Sequence, residues 1–319
     1  MPSMPTFRCA ALIFLLLSSF VAPPSFANLS VPAEAPAILD KIYSFDLLGA
    51  VEAAKRMEQE HPDHPLGYLL EAEAIGWRIW CASAEFKYGM TDARRRAKSS
   101  DDRHYLELAA KASSLAEVQS KQHESAEMRF YAGMADAAAA RLYALRGENR
   151  NAARAGVRAR DHFLRAKTLD ASLADADMGL GLYNYYVDTL SAVARVLRFF
   201  MGIPGGSKQE GVRLLQHAIA EGVLTPNLAR FYLALNLHRY DMQYEKALGV
   251  ISPLAEKYPA NPLFQLARGD LYAKLGRKEQ ALACYRAAGA LAVPDVECQV
   301  RVRELVRLSI EALGAAKGH

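Results

Sequence analysis

Two stretches near the C-terminal end of the sequence share the same punctuation one period apart, and this repeat limits the available folds more than any other feature. Ala247 and Ala281 lie 34 residues apart. Each opens a trio at helical spacing that starts on a small residue, Ala247, Ile251 and Leu254 in one, Ala281, Tyr285 and Ala288 in the other. Pro259 and Pro262 follow the first trio. Far upstream, Ala50, Ala54 and Met57 are followed by Pro62 and Pro65 at the same offsets. A period in the thirties, built of paired amphipathic helices, marks an array in which each unit buries its apolar face only against its neighbours.

The clearest unit is Asn261 to Ala288. Asn261 suits a helix N-cap and Pro262 the first turn, where no backbone N–H is needed. Leu263, Leu266, Leu271, Tyr272 and Leu275 make the apolar stripe. Gly269 inside that helix costs roughly 1 kcal/mol against alanine, which implies a packing reason. Tyr285 is the large residue expected to fill the gap it leaves. Gly276 ends the first helix. In these positions, Gly269, Tyr272, Ala281, Tyr285 and Ala288, the stretch resembles the tetratricopeptide family. That resemblance implies an all-α fold of helix–turn–helix repeats stacked into a right-handed solenoid, and a protein or peptide ligand on its concave face.

The rest of the chain fits the same scheme. Ala, Leu, Glu, Arg and Lys run throughout, with no sustained β-branched alternation, which is an all-helical composition. Residues 1–27 read as an export signal: Arg8, the apolar run Ala10 to Phe20, and the small-x-small site Ser25-Phe26-Ala27. The apolar run is too short to cross a membrane. The expected destination of the mature chain is a periplasm or the exterior. Beyond the signal, residues 28–171 read as N-terminal helical repeats. Residues 172–224 are a repeat unit carrying an inserted helix, 225–294 are two further repeats, and 295–319 are a capping helix and tail. Thr91 to Arg103, with Arg94, Arg95, Arg96, Asp101 and Asp102, reads as a solvated turn.

Between Ser172 and Glu221 the second-helix trio begins at Gly211, 18 residues later than the period allows. Val187, Leu190, Ala194, Leu197 and Met201 give this insert a helical stripe, ended by the Gly202–Gly206 turn. Residues 179–218 are similar to tetratricopeptide proteins linked to the mitochondrial outer membrane and inclusion-body clearance, which implies an adaptor role near a membrane. Peripheral membrane contact through helix 187–201, with Arg195 and Arg198 toward headgroups, is one alternative function. A small-ligand cavity near Tyr183, Tyr185 and Tyr186 is another. Arg150, Arg154 and Arg158 form a basic stripe that could meet an acidic partner or anionic lipid; its blander reading is a solvated outer face.

The tetratricopeptide resemblance assigns the groove residues. They are Tyr232, Asn236 and Arg239 in one repeat, Leu266, Asp270 and Ala273 in the next, and Met178, Leu182 and Tyr185 in the preceding one. The family's clamp for a terminal carboxylate is missing, since Leu266 and Asp270 occupy two of its positions. The alternative reading of Tyr185 and Tyr232 is plain core.

No phosphate-binding glycine loop, His-Glu-x-x-His, Gly-x-Ser-x-Gly or Cys-x-x-Cys motif occurs. The sequence therefore gives no reason to expect an enzyme, a cofactor, a metal or, in an exported protein, nucleic-acid binding. His61 and His64 beside Asp63 read as surface residues of a proline-bounded turn. Metal binding is the lesser alternative there. Three cysteines follow the signal. Cys284 and Cys298, on neighbouring predicted helices, are the pair that could bond; small buried hydrophobes are the alternative reading.

Overall fold

The computed structural model describes residues 29–83, 98–190 and 203–315. Among these residues all regular structure is α-helical. The elements are α1 (Ala35–Tyr43), α2 (Leu47–Glu60), α3 (Pro65–Ser83), α4 (Ser100–Gln122), α5 (Ala126–Leu145) and α6 (Asn149–Leu169). They continue with α7 (Asp175–Thr189), α8 (Lys208–Glu221), α9 (Pro226–Arg239), α10 (Tyr244–Lys257), α11 (Pro262–Lys274), α12 (Lys278–Ala290) and α13 (Val296–Ala315). Each helix packs on the next, and alternate helices such as α5 and α7, α7 and α9, and α11 and α13 also touch. This is the stacked-pair arrangement expected from the repeat. The export signal, Arg94 to Arg96 and most of the inserted helix, including Arg195 and Arg198, lie outside the described residues; Val187 to Thr189 continue α7.

Pairs lock where a residue without a side chain meets an aromatic ring. A Cβ on Gly269 would lie 2.6 Å from the Tyr285 ring, so the glycine is the notch for that tyrosine. Phe163 of α6 fills the equivalent space between Gly133 of α5 and Gly179 of α7.

Helix starts follow local chemistry. The Asn261 side-chain oxygen Oδ1 accepts from the N–H groups of Leu263 and Phe264 at 3.0 and 3.3 Å. Asp46, Ser125 and Ser207 cap α2, α5 and α8. The turn before α9 is held from another helix: the buried Asp175 carboxylate accepts from the N–H groups of Val223, Leu224 and Thr225 and from the Thr225 hydroxyl.

The series does not stay open. Its two ends are joined by several bonds. Asn261 also donates from its amide to the Tyr43 carbonyl at 3.0 Å, and the Tyr258 hydroxyl donates to Asp40 at 2.7 Å. Cys81 of α3 and Cys298 of α13 form a disulfide spanning 217 residues of sequence, and Arg78 pairs with Asp295 beside it. Of the two readings of Cys284 and Cys298, the bond between them is therefore overturned, and Cys284 follows the other, a small buried side chain. Cys284 is a free buried thiol, and the partner of Cys298 comes from a helix distant in sequence that closure brings near.

Closure also gives α3 its place. All of its residues except Tyr68, Arg78 and Ala82 are buried, as a helix apolar on every side requires. One further expectation changes. Asp102 is not in a solvated turn; it is buried inside α4 and takes a two-pronged hydrogen bond from Arg146 at 2.6 and 2.7 Å. On α13, Val296 and Val300 face outward, 78% and 61% exposed. Cys298, Val302, Leu305 and Ser309 face the core instead, because the disulfide fixes which side of the helix turns inward.

Candidate functional site

The concave side of the repeat series is occupied by α3. Trp77 packs against Phe231 of α9 and Phe264 of α11, with ring centres 4.9 and 5.6 Å away. Trp80 meets Tyr232 edge-on at 6.3 Å. The first helices thus spend their N-terminal halves on the protein's own α3.

A polar cluster sits at the centre of this packing. Trp77 donates to Glu73 at 3.1 Å, and Arg141 of α5 donates to the other Glu73 oxygen at 2.8 Å. The Arg141 guanidinium lies 4.7 Å over the Trp80 ring and reaches the hydroxyls of Tyr105 and Tyr232 at 3.4 Å each. Burial works against the arginine charge, but Glu73 and the two tyrosines outweigh it and hold the guanidinium protonated well above its ordinary range. Burial also raises Tyr105 and Tyr43. A cavity of about 40 Å³ opens beside the cluster, walled by side chains such as Leu39, Leu70, Phe130, Met134 and Leu228. That volume holds a water or two, not an organic ligand. Such a pair fixes the register of α3 against α5, since removing one partner leaves a buried charge uncompensated. It presents no nucleophile–base pair.

The residues assigned to the groove fall into two groups. Met178, Tyr185, Asn236 and Leu266 are buried and a partner in solution does not touch them; their expected contact role is corrected to core. Tyr185 donates to Asp241 at 2.8 Å and to the Asn236 carbonyl, and burial raises its pKa. Leu182, Tyr232, Arg239, Asp270 and Ala273 keep partial exposure. Tyr232 is engaged by Trp80 and Arg141 as above, and Asp270 accepts from the Tyr285 hydroxyl at 2.7 Å. What stays accessible is a rim at the C-terminal halves of α7, α9 and α11.

The other candidate sites are also placed. Arg158 is tied to the Asp136 carboxylate at 3.0 Å, while Arg150 and Arg154 are exposed; the stripe is partly neutralised and lies on an outer face. Tyr183 donates to the Pro204 carbonyl at 2.9 Å, and Tyr186 packs edge-on to Tyr185 and Tyr240. Tyr185 and Tyr186 thus pack on each other and Tyr183 bonds to the backbone; residues 191–202, which would complete the alternative small-ligand cavity, lie outside the described residues. No described helix is long and apolar enough to cross a membrane. Among the described residues, one set of side chains brings metal-ligating atoms together: Glu34, Glu60 and His61. Sequence reasoning missed Glu73, Arg141, Glu34 and Glu60. Only their final neighbours, set by closure or by the fold of the leader, give them significance.

No family model matches the chain, and no curated protein matches it. Among solved structures it is similar to yeast Tom70, with 10% identity, coverage of 89% of this chain and 90% of that one, and a TM-score of 0.29. The class of protein is accordingly defined by the molecule's own helix pairing: an all-α helical-repeat protein of tetratricopeptide-like design.

Proposed function

We propose that this chain is an exported helical-repeat scaffold that binds a polypeptide partner along the rim left open by α3. The observation that carries this reading is the division of the first helices. The N-terminal halves of α9 and α11 are covered by Trp77 and Trp80, whereas Leu182 of α7, Arg239 of α9 and Asp270 and Ala273 of α11 remain partly exposed. A row of side chains from consecutive repeats is the surface that stacked helix pairs present to an extended ligand. Export is supported by the N-terminal signal pattern and by the Cys81–Cys298 disulfide, a bond that persists in oxidising compartments. The reading assigns the chain no catalytic step.

The test places a photo-crosslinking residue at Arg239, at Ala273 and, as a control, at Lys246 on α10, in the mature protein within envelope extracts. The same partner crosslinked from 239 and 273 but not from 246 supports rim binding. Crosslinks from 246 alone, or none, refute it. Mass spectrometry of the secreted chain checks the N-terminus expected after Ala27.

A further inference from the structure

The turn between α2 and α3 and the entry to α1 bring together side chains that the scaffold reading leaves unused. Glu34 precedes α1, and its side chain makes no capping hydrogen bond to that helix. It reaches the end of α2 instead, where Glu60 is the last helical residue and His61 the residue that follows. One ligand atom from each of the three residues lies within 4.8 Å of the other two.

The contact between Glu34 and His61 carries a second, independent signal. The His61 Nε2 and Glu34 Oε1 atoms are 3.0 Å apart. Even so, this Oε1, shut off from solvent, has no hydrogen-bond partner. The Glu34 side chain is about one-third exposed as a whole, so it is this one enclosed oxygen that faces the imidazole without a hydrogen bond. An imidazole nitrogen and a carboxylate oxygen that approach without aligning on each other are what two ligands of one ion look like, because each lone pair aims at the metal. At ordinary zinc–nitrogen and zinc–oxygen bond lengths, two ligands on a tetrahedral ion lie about 3.3 Å apart, close to the separation seen here. Electrostatics favour the same occupant. The last turn of α2 has no basic side chain, so its negative end is open to a cation.

We propose that Glu34, Glu60 and His61 bind a single divalent transition-metal ion of the zinc type. Two carboxylates and an imidazole suit such an ion better than magnesium or calcium, which prefer oxygen alone. His64 is not among the converging ligand atoms: its ring packs on Tyr131, its Nδ1 accepts from the Leu66 N–H at 3.2 Å, and its Nε2 faces Glu127 at 3.9 Å. The ion therefore has three protein ligands and one position open to water or to a donor from another molecule. It clips the leader segment to the end of α2.

The test is equilibrium titration of the metal-free, untagged mature protein with zinc chloride near neutral pH, with magnesium chloride in parallel. Wild type is expected to bind one equivalent of zinc, to melt at a higher temperature with zinc, and to ignore magnesium. His61→Gln and Glu34→Gln are each expected to weaken zinc binding at least tenfold, while His123→Gln, at an exposed histidine elsewhere, leaves it unchanged. Circular dichroism of the metal-free variants checks their fold. Should either of the first two misfold, Glu60→Gln, at an exposed position, takes its place. No stoichiometric zinc binding by wild type, or undiminished binding in the folded variants, overturns the proposal.

Discussion

Glu58 shows how one carboxyl can set the response of the molecule to pH. Burial first, then hydrogen bonding and charge from Glu71, push its pKa up to about 8 from a usual 4.5. In the unfolded chain the same group ionises near 4.5. Between those values the folded state holds a proton that the unfolded state has released, so stability falls as pH rises through the window. Glu58→Gln removes that dependence. Its melting temperature is expected to drop less between pH 5 and pH 8 than that of wild type, which thermal denaturation at the two pH values measures directly. At this scale the sequence is most readable where the cause is local. The Asn261 cap, Pro262 and the Gly269–Tyr285 notch follow from residues at most 24 apart. Glu58 and Glu71 face each other only after α2 folds back on α3, and no motif announces that.

Among elements, α3 departs furthest from the repeat plan. Its two tryptophans, Trp77 and Trp80, are core. What they are the core of was not legible: resemblance places a peptide on the concave side, and the chain puts its own helix there. The reason lies in composition spread around the whole helix, since a segment with no polar face has to be enclosed. Truncating Trp77, which touches Tyr43, Trp80, Phe231 and Phe264, is expected to destabilise the fold by about 3–5 kcal/mol. Urea denaturation of Trp77→Ala should show a lower midpoint with an unchanged slope. A loss under 1 kcal/mol would mean that α3 is not the hub. On α13 the apolar residues offer two faces, and the bond to Cys81 selects the one bearing Cys298, Val302 and Leu305.

For the whole molecule, the disulfide matters most through its span. Cross-linking residues 217 apart removes chain entropy from the unfolded state equivalent to about 5 kcal/mol in the loop-closure model. Cys81→Ser and Cys298→Ser should each lower the melting temperature by a similar amount, and a reductant should do so for wild type but not for the variants. Equal melting with and without reductant in wild type would show that the bond is not formed. Sequence spacing could not pair these cysteines, because neighbourhood along the chain was the only guide and closure replaces it with neighbourhood in space.

Closure also bears on how such a chain can change over evolutionary time. Open repeat arrays lengthen and shorten by whole units, since each unit answers only to its neighbours. Here a duplicated 34-residue unit between α10 and α11 would carry Asn261 away from Tyr43 and Cys298 away from Cys81. The number of repeats is thereby counted by the molecule itself, and descendants are free to vary in their loops and outer faces but not in their length of array.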